Sequence, residues 1–320
     1  MISVAMTFLA PGLVLGESPE VALALLPVGQ AGSYFDLTMR PGETRTLEVE
    51  ISNNGDADIT ARTYAADVYT IINGGFGGRL RDEPASGTTR WLDYESDLLD
   101  LAPGERSQRS FTVTVPLESG PGEYITSLIL ENEQPIEMEG IVGANQVVRQ
   151  AVGLLVTVPG ERSPHLEIGQ ASHSVVAGRS VVAVAVENSG NVRLKPLVDL
   201  TLFESDGDQV SHASVQMDSF YAVTDTLVEV PLAALLLPGD YSIRFTIEDA
   251  AQDARATGTI PLFVAAPLVA AASDGLVPSL TDVSQDADGQ LPVLLAALFA
   301  AVALGAVAAW FLLPRRRMAA

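Results

Sequence analysis

The chain has 320 residues, 40 acidic and 18 basic side chains and no cysteine. Disulfides and thiolate metal sites are excluded outright. A formal net charge of −22 repels nucleic acid and other polyanions, so no nucleic-acid partner is expected.

The first element in chain order is an apolar stretch from Ile2 to Leu15, closed by Gly16-Glu17. Its length suits the core of a signal peptide, residues 1–16, rather than a spanning helix. No Lys or Arg stands near Met1, which leaves a start further upstream or a weak signal as alternatives; a buried first strand or helix is the other reading.

From Val21 to Val264 the sequence alternates apolar and polar residues with period two. Thr46-Leu47-Glu48-Val49-Glu50-Ile51, Phe111-Thr112-Val113-Thr114-Val115 and Val182-Ala183-Val184-Ala185-Val186 are the clearest runs. Pro41-Gly42, Asn54-Gly55, Pro103-Gly104, Ser189-Gly190, Asp206-Gly207 and Pro238-Gly239 punctuate them as turns. This pattern predicts an all-β fold of antiparallel sheets, each with one buried face.

The chain also echoes itself. Pro41-Gly42, a strand and Asn53-Asn54-Gly55 return as Ala177-Gly178, a strand and Asn188-Ser189-Gly190. Pro121-Gly122-Glu123-Tyr124 returns as Pro238-Gly239-Asp240-Tyr241, where the tyrosine hydroxyl is placed to bond backbone and close a sandwich corner. Two tandem Ig-like β-sandwich domains are therefore expected, residues 17–160 and 161–264, with the boundary at the proline- and glycine-broken segment 158–164.

Residues 265–290 turn to Ala, Ser, Asp, Gly and Pro and read as a flexible stalk. Leu291 to Leu313 carries no charge and would span roughly 34 Å as a helix, enough for a bilayer core. This predicts a C-terminal transmembrane helix, 291–313, and a basic cytoplasmic tail, 314–320. Arg315, Arg316 and Arg317 set the orientation and Trp310 reads as an interfacial anchor. The expected location is the cell membrane, single-pass, with the N-terminal domains outside. Ala301, Gly305 and Ala309 form a small-residue stripe of the kind that packs helices, or one that an alanine-rich span produces by chance. An exported chain without disulfides points to a bacterium whose wall lies outside its single membrane.

Chemical motifs are sparse. His165, His173 and His212 stand in no nucleophile or zinc pattern and read as exposed strand or loop residues. Asn73-Gly74-Gly75-Phe76-Gly77-Gly78 lacks the Gly-Lys-Ser/Thr ending of a phosphate loop and reads as a mobile hairpin tip. Asn53-Asn54-Gly55-Asp56-Ala57-Asp58 and Asp286-Ala287-Asp288-Gly289 alternate oxygens as calcium loops do, without the closing bidentate glutamate. No cofactor or resident metal is expected, and no carboxylate pair or nucleophile set suggests an enzyme. The aromatics cluster instead: Tyr69, Phe76, Trp91 and Tyr94 fall together, with Arg79, Arg81 and Arg90 close by. Tyr69, Arg90, Trp91 and Tyr94 form a candidate carbohydrate-binding set, the rings stacking on sugar and the arginine pairing a carboxylate. The alternative is that Trp91 belongs to the core.

Ser33-Tyr34-Phe35-Asp36-Leu37-Thr38-Met39-Arg40-Pro41-Gly42-Glu43, the strand to Ile51 and Asn53-Asn54-Gly55 open a longer pattern. It continues through Trp91, Leu101-Ala102-Pro103-Gly104-Glu105, Val115-Pro116, Pro121-Gly122-Glu123-Tyr124 and Val148-Arg149-Gln150-Ala151-Val152-Gly153-Leu154. Over residues 21–158 it resembles the peptidoglycan-binding domain of WxL-interacting proteins. The resemblance implies a Gram-positive, membrane-anchored surface protein that binds peptidoglycan and partners WxL-type or other surface proteins, in adhesion or wall organisation and without catalysis. The only Trp-x-Leu here, Trp310-Phe311-Leu312, lies inside the predicted span, and no binding residue carries over one for one. Exposed sheet edges open a second reading, an assembly factor that lends a strand to exported partners.

Overall fold

The computed structural model describes residues 22–138 and 144–266. Those residues are all-β apart from one 3-10 turn, Gly87–Trp91. In chain order the first half forms β1 (Leu23–Pro27), β2 (Phe35–Thr38), β3 (Thr44–Asn53), β4 (Ile59–Thr70), β5 (Phe76–Gly78), β6 (Leu92–Asp93) and β7 (Asp97–Leu101). It continues with β8 (Arg106–Thr114), β9 (Gly122–Asn132), β10 (Ile136–Met138), β11 (Ala144–Gln146) and β12 (Arg149–Val158). The second half forms β13 (Leu166–Val176), β14 (Arg179–Asn188), β15 (Leu197–Glu204), β16 (Gln209–Gln216), β17 (Thr224–Pro231), β18 (Gly239–Asp249) and β19 (Ala254–Val264).

Each half is a sandwich around its own core. In the first, the sheet β1-β3-β8-β6 faces the sheet β2-β12-β9-β4-β5, with β7 paired to β4. Val49, Ile51, Val113, Leu128, Leu130, Leu154 and Val156 point inward from both sheets, and Phe111 sets its ring edge-on to Phe35 at 5.7 Å. In the second, β13-β14-β17 faces β16-β15-β18-β19. Tyr241, Ile243, Phe245 and Ile247 alternate inward along β18 and meet Val182, Val184 and Val186 of β14. Each such aliphatic side chain contributes roughly 1.5–3 kcal/mol by leaving water. Both cores lie within one compact unit ending at Pro267.

The echoed motifs do the same work twice. Asn53 ends β3 buried, donating its amide to the Ala57 and Leu101 carbonyls and accepting from the Gly55 amide. Asn188 ends β14 buried, donating to Val192 and Phe220 and accepting from Gly190. Asn53 is thus a structural clamp, with its side chain committed rather than open to calcium. The Tyr124 hydroxyl donates to the Gly120 carbonyl at 2.9 Å, and the Tyr241 hydroxyl to the Leu237 carbonyl at 2.8 Å. The Gly42 echo is looser. Arg40 to Glu43 form a turn in which Pro41 precedes a left-handed Gly42, φ 82°. Ala177 and Gly178 both have positive φ and join β13 to β14 as a two-residue hairpin.

Among the described residues no helix is long and apolar enough to cross a membrane. The expected signal peptide, span and tail, with Trp310, Arg315, Arg316 and Arg317, lie outside the described residues, as does the expected stalk beyond Ala266, including Asp286–Gly289.

Candidate functional site

The glycine-rich segment, expected to be a mobile tip, is instead a docking element between the sandwiches. The β4–β5 hairpin carries Asn73 in the left-handed region, φ 60°, which asparagine tolerates. Asn73 N donates to the Leu227 carbonyl, its side-chain amide donates to Glu229 O at 3.2 Å, and its side-chain oxygen accepts from Glu229 N at 2.9 Å. A single side chain thereby reproduces a strand's bonding on the free edge of β17. Gly75 N reaches Ser219 O, and Thr226 Oγ1 donates to Ile71 O. A Cβ on Gly74 would stand 2.6 Å from the Asp218 backbone, so only glycine fits there. A second attachment lies at Asn191. Its side-chain amide donates to the Pro121 and Glu161 carbonyls, and its backbone oxygen accepts from Glu123 N.

One cleft at this junction, of about 510 Å³, contains Trp91. Asp67, on β4, builds its wall. One of its carboxylate oxygens accepts from both the amide and the hydroxyl of Ser86 at 2.6 Å, and the other accepts from Thr89 Oγ1. These bonds fix the 3-10 turn, and the turn sets Trp91 on Tyr124, ring centroids 4.6 Å apart and planes tilted by 43°. Trp91 is half-buried, with one side against the first core and the rest open to the cleft. Glu123, Asn191, Val223 and Thr224 also line it. Val223 is 80% exposed with φ 56°, a strained conformation for a β-branched residue. An aromatic surface flanked by hydrogen-bonding groups suits a sugar ring.

The other predicted residues separate. Arg90 is exposed beside Trp91, donates to the Ala85 carbonyl at 3.1 Å, and among the described residues has no carboxylate partner. Arg79 and Arg81 do have partners, Glu83 at 3.5 Å and Glu133 at 2.6 Å. Tyr69 is exposed, with its ring over Gly77 and under the Arg79 guanidinium at 5.0 Å, and lines a different cleft of about 690 Å³. Tyr94 is a core residue. Its hydroxyl bonds Thr63 Oγ1 at 2.6 Å, its ring meets Phe111 edge-on and lies under Arg109, and burial pushes its pKa up. No face of it is open to a sugar, so the cluster keeps Arg90 and Trp91 together and loses Tyr94. Tyr124, Asp67 and the contribution of the second sandwich were not legible as site residues. Tyr124 showed only as a corner motif, and Asp67 lies outside any motif.

The outer face of the larger sheet holds a charged network. Arg62 bonds both oxygens of Glu133, at 2.8 and 3.0 Å, which holds the Glu133 carboxyl below its usual range. Arg149 and Glu131 meet at the Tyr64 hydroxyl, and burial together with the bond to Glu131 raises that phenol to about 12. His173 bonds Ser180 at 2.8 Å, His212 bonds Asp199 at 2.9 Å, and His165 lies near Glu167. Among the described residues no group of three His, Cys, Asp or Glu side chains is arranged to hold a metal ion.

Residues 27–132 match the family model described as WxL Interacting Protein, peptidoglycan binding domain. No curated protein matches the chain. Several solved structures are similar in outline. The class 5 fimbriae chaperone CfaA is 12% identical, covering 74% of this chain and 99% of its own, with a TM-score of 0.30. The Pseudomonas aeruginosa CupB2 chaperone is 13% identical over 72% of this chain and 98% of its own, TM-score 0.29. The Salmonella enterica SafA pilin complex with the SafB chaperone gives 10%, 78%, 99% and 0.32. Scores this low carry no functional weight. The family match falls on the first sandwich and on the motifs that opened the resemblance to the WxL interacting protein, peptidoglycan binding domain.

Proposed function

We propose that the protein is a membrane-anchored, non-catalytic surface protein whose first sandwich binds peptidoglycan through the Trp91 cleft. The observation that carries this reading is the family match over residues 27–132, which spans the 3-10 turn and its tryptophan. The half-open indole stacks on the apolar face of a sugar, and Arg90 takes a carboxylate of the stem peptide. Since the protein is strongly acidic, its overall field does not draw the polymer in, and stacking, hydrogen bonding and the local Arg90 pair hold it. The apolar segment 291–313 and the arginines behind it tether the sandwiches on the outer side of the membrane.

The full chain in detergent should co-sediment with isolated cell-wall sacculi. Arg90→Ala, at an exposed position, should weaken sedimentation several-fold without shifting the melting temperature. Trp91→Ala should weaken it further. Failure of the parent protein to sediment refutes the reading. The alternative, strand addition to exported partners, finds two edges closed: Asn73 caps β17, and Pro261 removes an amide from β19.

A further inference from the structure

The cleft beside the docking hairpin has a composition the wall-binding reading does not use. Ile71 and Ile72 of the hairpin and Leu227 of β17 converge there, 41%, 49% and 40% exposed. Single exposed aliphatics need no explanation, but three in one concavity of about 690 Å³ give it a shared apolar wall. The floor is low because it is built from small residues, with Gly169 standing over Ala185 on the outer face of β13-β14-β17.

The charge beside that apolar surface is equally ordered. Glu167 pairs with Glu187 across β13 and β14, and Glu187 pairs with Asp225 across β14 and β17. Three carboxylates therefore stand in a row over three adjacent strands and line the same cleft. Like charges directly opposite one another destabilise a sheet. Among the described residues neither Glu187 nor Asp225 has an ion-pair partner, and Glu167 has only His165 at 3.8 Å and the Ser189 hydroxyl. The one guanidinium in the cleft, Arg79, is bound to Glu83.

We propose that this cleft binds an extended segment of another exported protein in which Lys or Arg alternates with aliphatic residues. The aliphatic side chains cover Ile71, Ile72 and Leu227, and the cations neutralise the carboxylate row. Charge excludes the nearer occupants. Residues 267–290 carry Asp274, Asp282, Asp286 and Asp288 and no cation, residues 1–21 carry Glu17 and Glu20, and a second copy brings another −22.

The probe is an end-blocked heptapeptide alternating valine and lysine, roughly 23 Å long when extended. Its controls replace lysine by glutamate or valine by serine. With the full chain, the valine–lysine peptide should bind and both controls should bind at least about tenfold more weakly. The triple variant Glu167→Gln, Glu187→Gln, Asp225→Asn should lose about tenfold, as should Ile72→Ser. Neutralising Glu204, Asp206 and Asp208 at the distant β15–β16 turn should change nothing. Absence of binding, equal binding to the triple variant, or equal loss with the distant variant overturns the proposal. So does self-association of the chain abolished by Ile72→Ser, since that assigns the cleft to a second copy. Sedimentation with sacculi should be untouched by these variants, so the two readings fail separately.

Discussion

The two sandwiches share their corners and differ at their seams. Asn53 and Asn188 hold equivalent loops, and Tyr124 and Tyr241 close equivalent turns. In the first sandwich the leading segment divides: β1 pairs with β3 in one sheet, then β2 crosses and pairs in parallel with β12. That crossing buries Phe35, Leu37 and Met39 at the seam. In the second, β13 stays with β14 along its whole length, passing a bulge between Ile168 and Ala171, and a groove of about 780 Å³ remains between β13 and β19. The register explains why. Leu155 pairs with Ile125, one residue past Tyr124, and Pro261 pairs with Ser242, one residue past Tyr241. Met39 N donates to Thr157 O on the β12 edge that β2 uses, and Leu155 faces that same edge. At the matching position of β19 the proline has no amide to offer, so a parallel partner loses a bond and the edge stays single. At this position the two scaffolds differ by one backbone donor, and only the edge that keeps it carries a parallel strand.

The largest expected effect tests the shared part. Asn53→Ala and Asn188→Ala each remove three side-chain hydrogen bonds, to two carbonyls and an amide, and each should cost about 3 kcal/mol in denaturant unfolding. A large cost in one sandwich and a small one in the other would break the equivalence. Next comes the contact that joins them. Asn73→Ala removes the paired bonds to Glu229 and should cost about 2 kcal/mol. Calorimetry should then resolve two transitions where the parent shows one, which allows each sandwich to be measured separately. The smallest effect belongs to the first sandwich alone. Tyr64 has a folded pKa near 12 against about 10 unfolded, so its contribution is complete below pH 10 and is lost as pH rises towards 12. Tyr64→Phe should flatten that alkaline slope and leave the second sandwich's transition unchanged. In acid the sign reverses: Glu133, held low by Arg62, contributes above the ordinary carboxylate pKa and loses its contribution as pH falls through its folded value.

Much of the fold was legible because strands write themselves with period two. Val182-Ala183-Val184-Ala185-Val186 alternates into the core as read, and the repeated asparagine and tyrosine motifs marked real structural duplicates. The candidate site was harder to read. Tyr94 and Trp91 are three residues apart, yet one is sealed under Arg109 and the other opens into a cleft. Sequence proximity cannot separate them, because burial there depends on Phe111 and Tyr124 from other strands. The glycines of 74–78 suggested looseness, whereas at Gly74 the missing side chain makes room for a neighbouring backbone. Glycine in a loop signals freedom or close approach, and only the partner decides which.

The double attachment of the sandwiches, at Asn73 and at Asn191, has a mechanical consequence. Two separated anchor points suppress hinge bending, so a ligand touching both halves meets a surface already set at its working angle. Little orientational entropy is then lost on capture, and a pull on one half is passed to the other through the hydrogen bonds of the two asparagines rather than taken up by a slack joint.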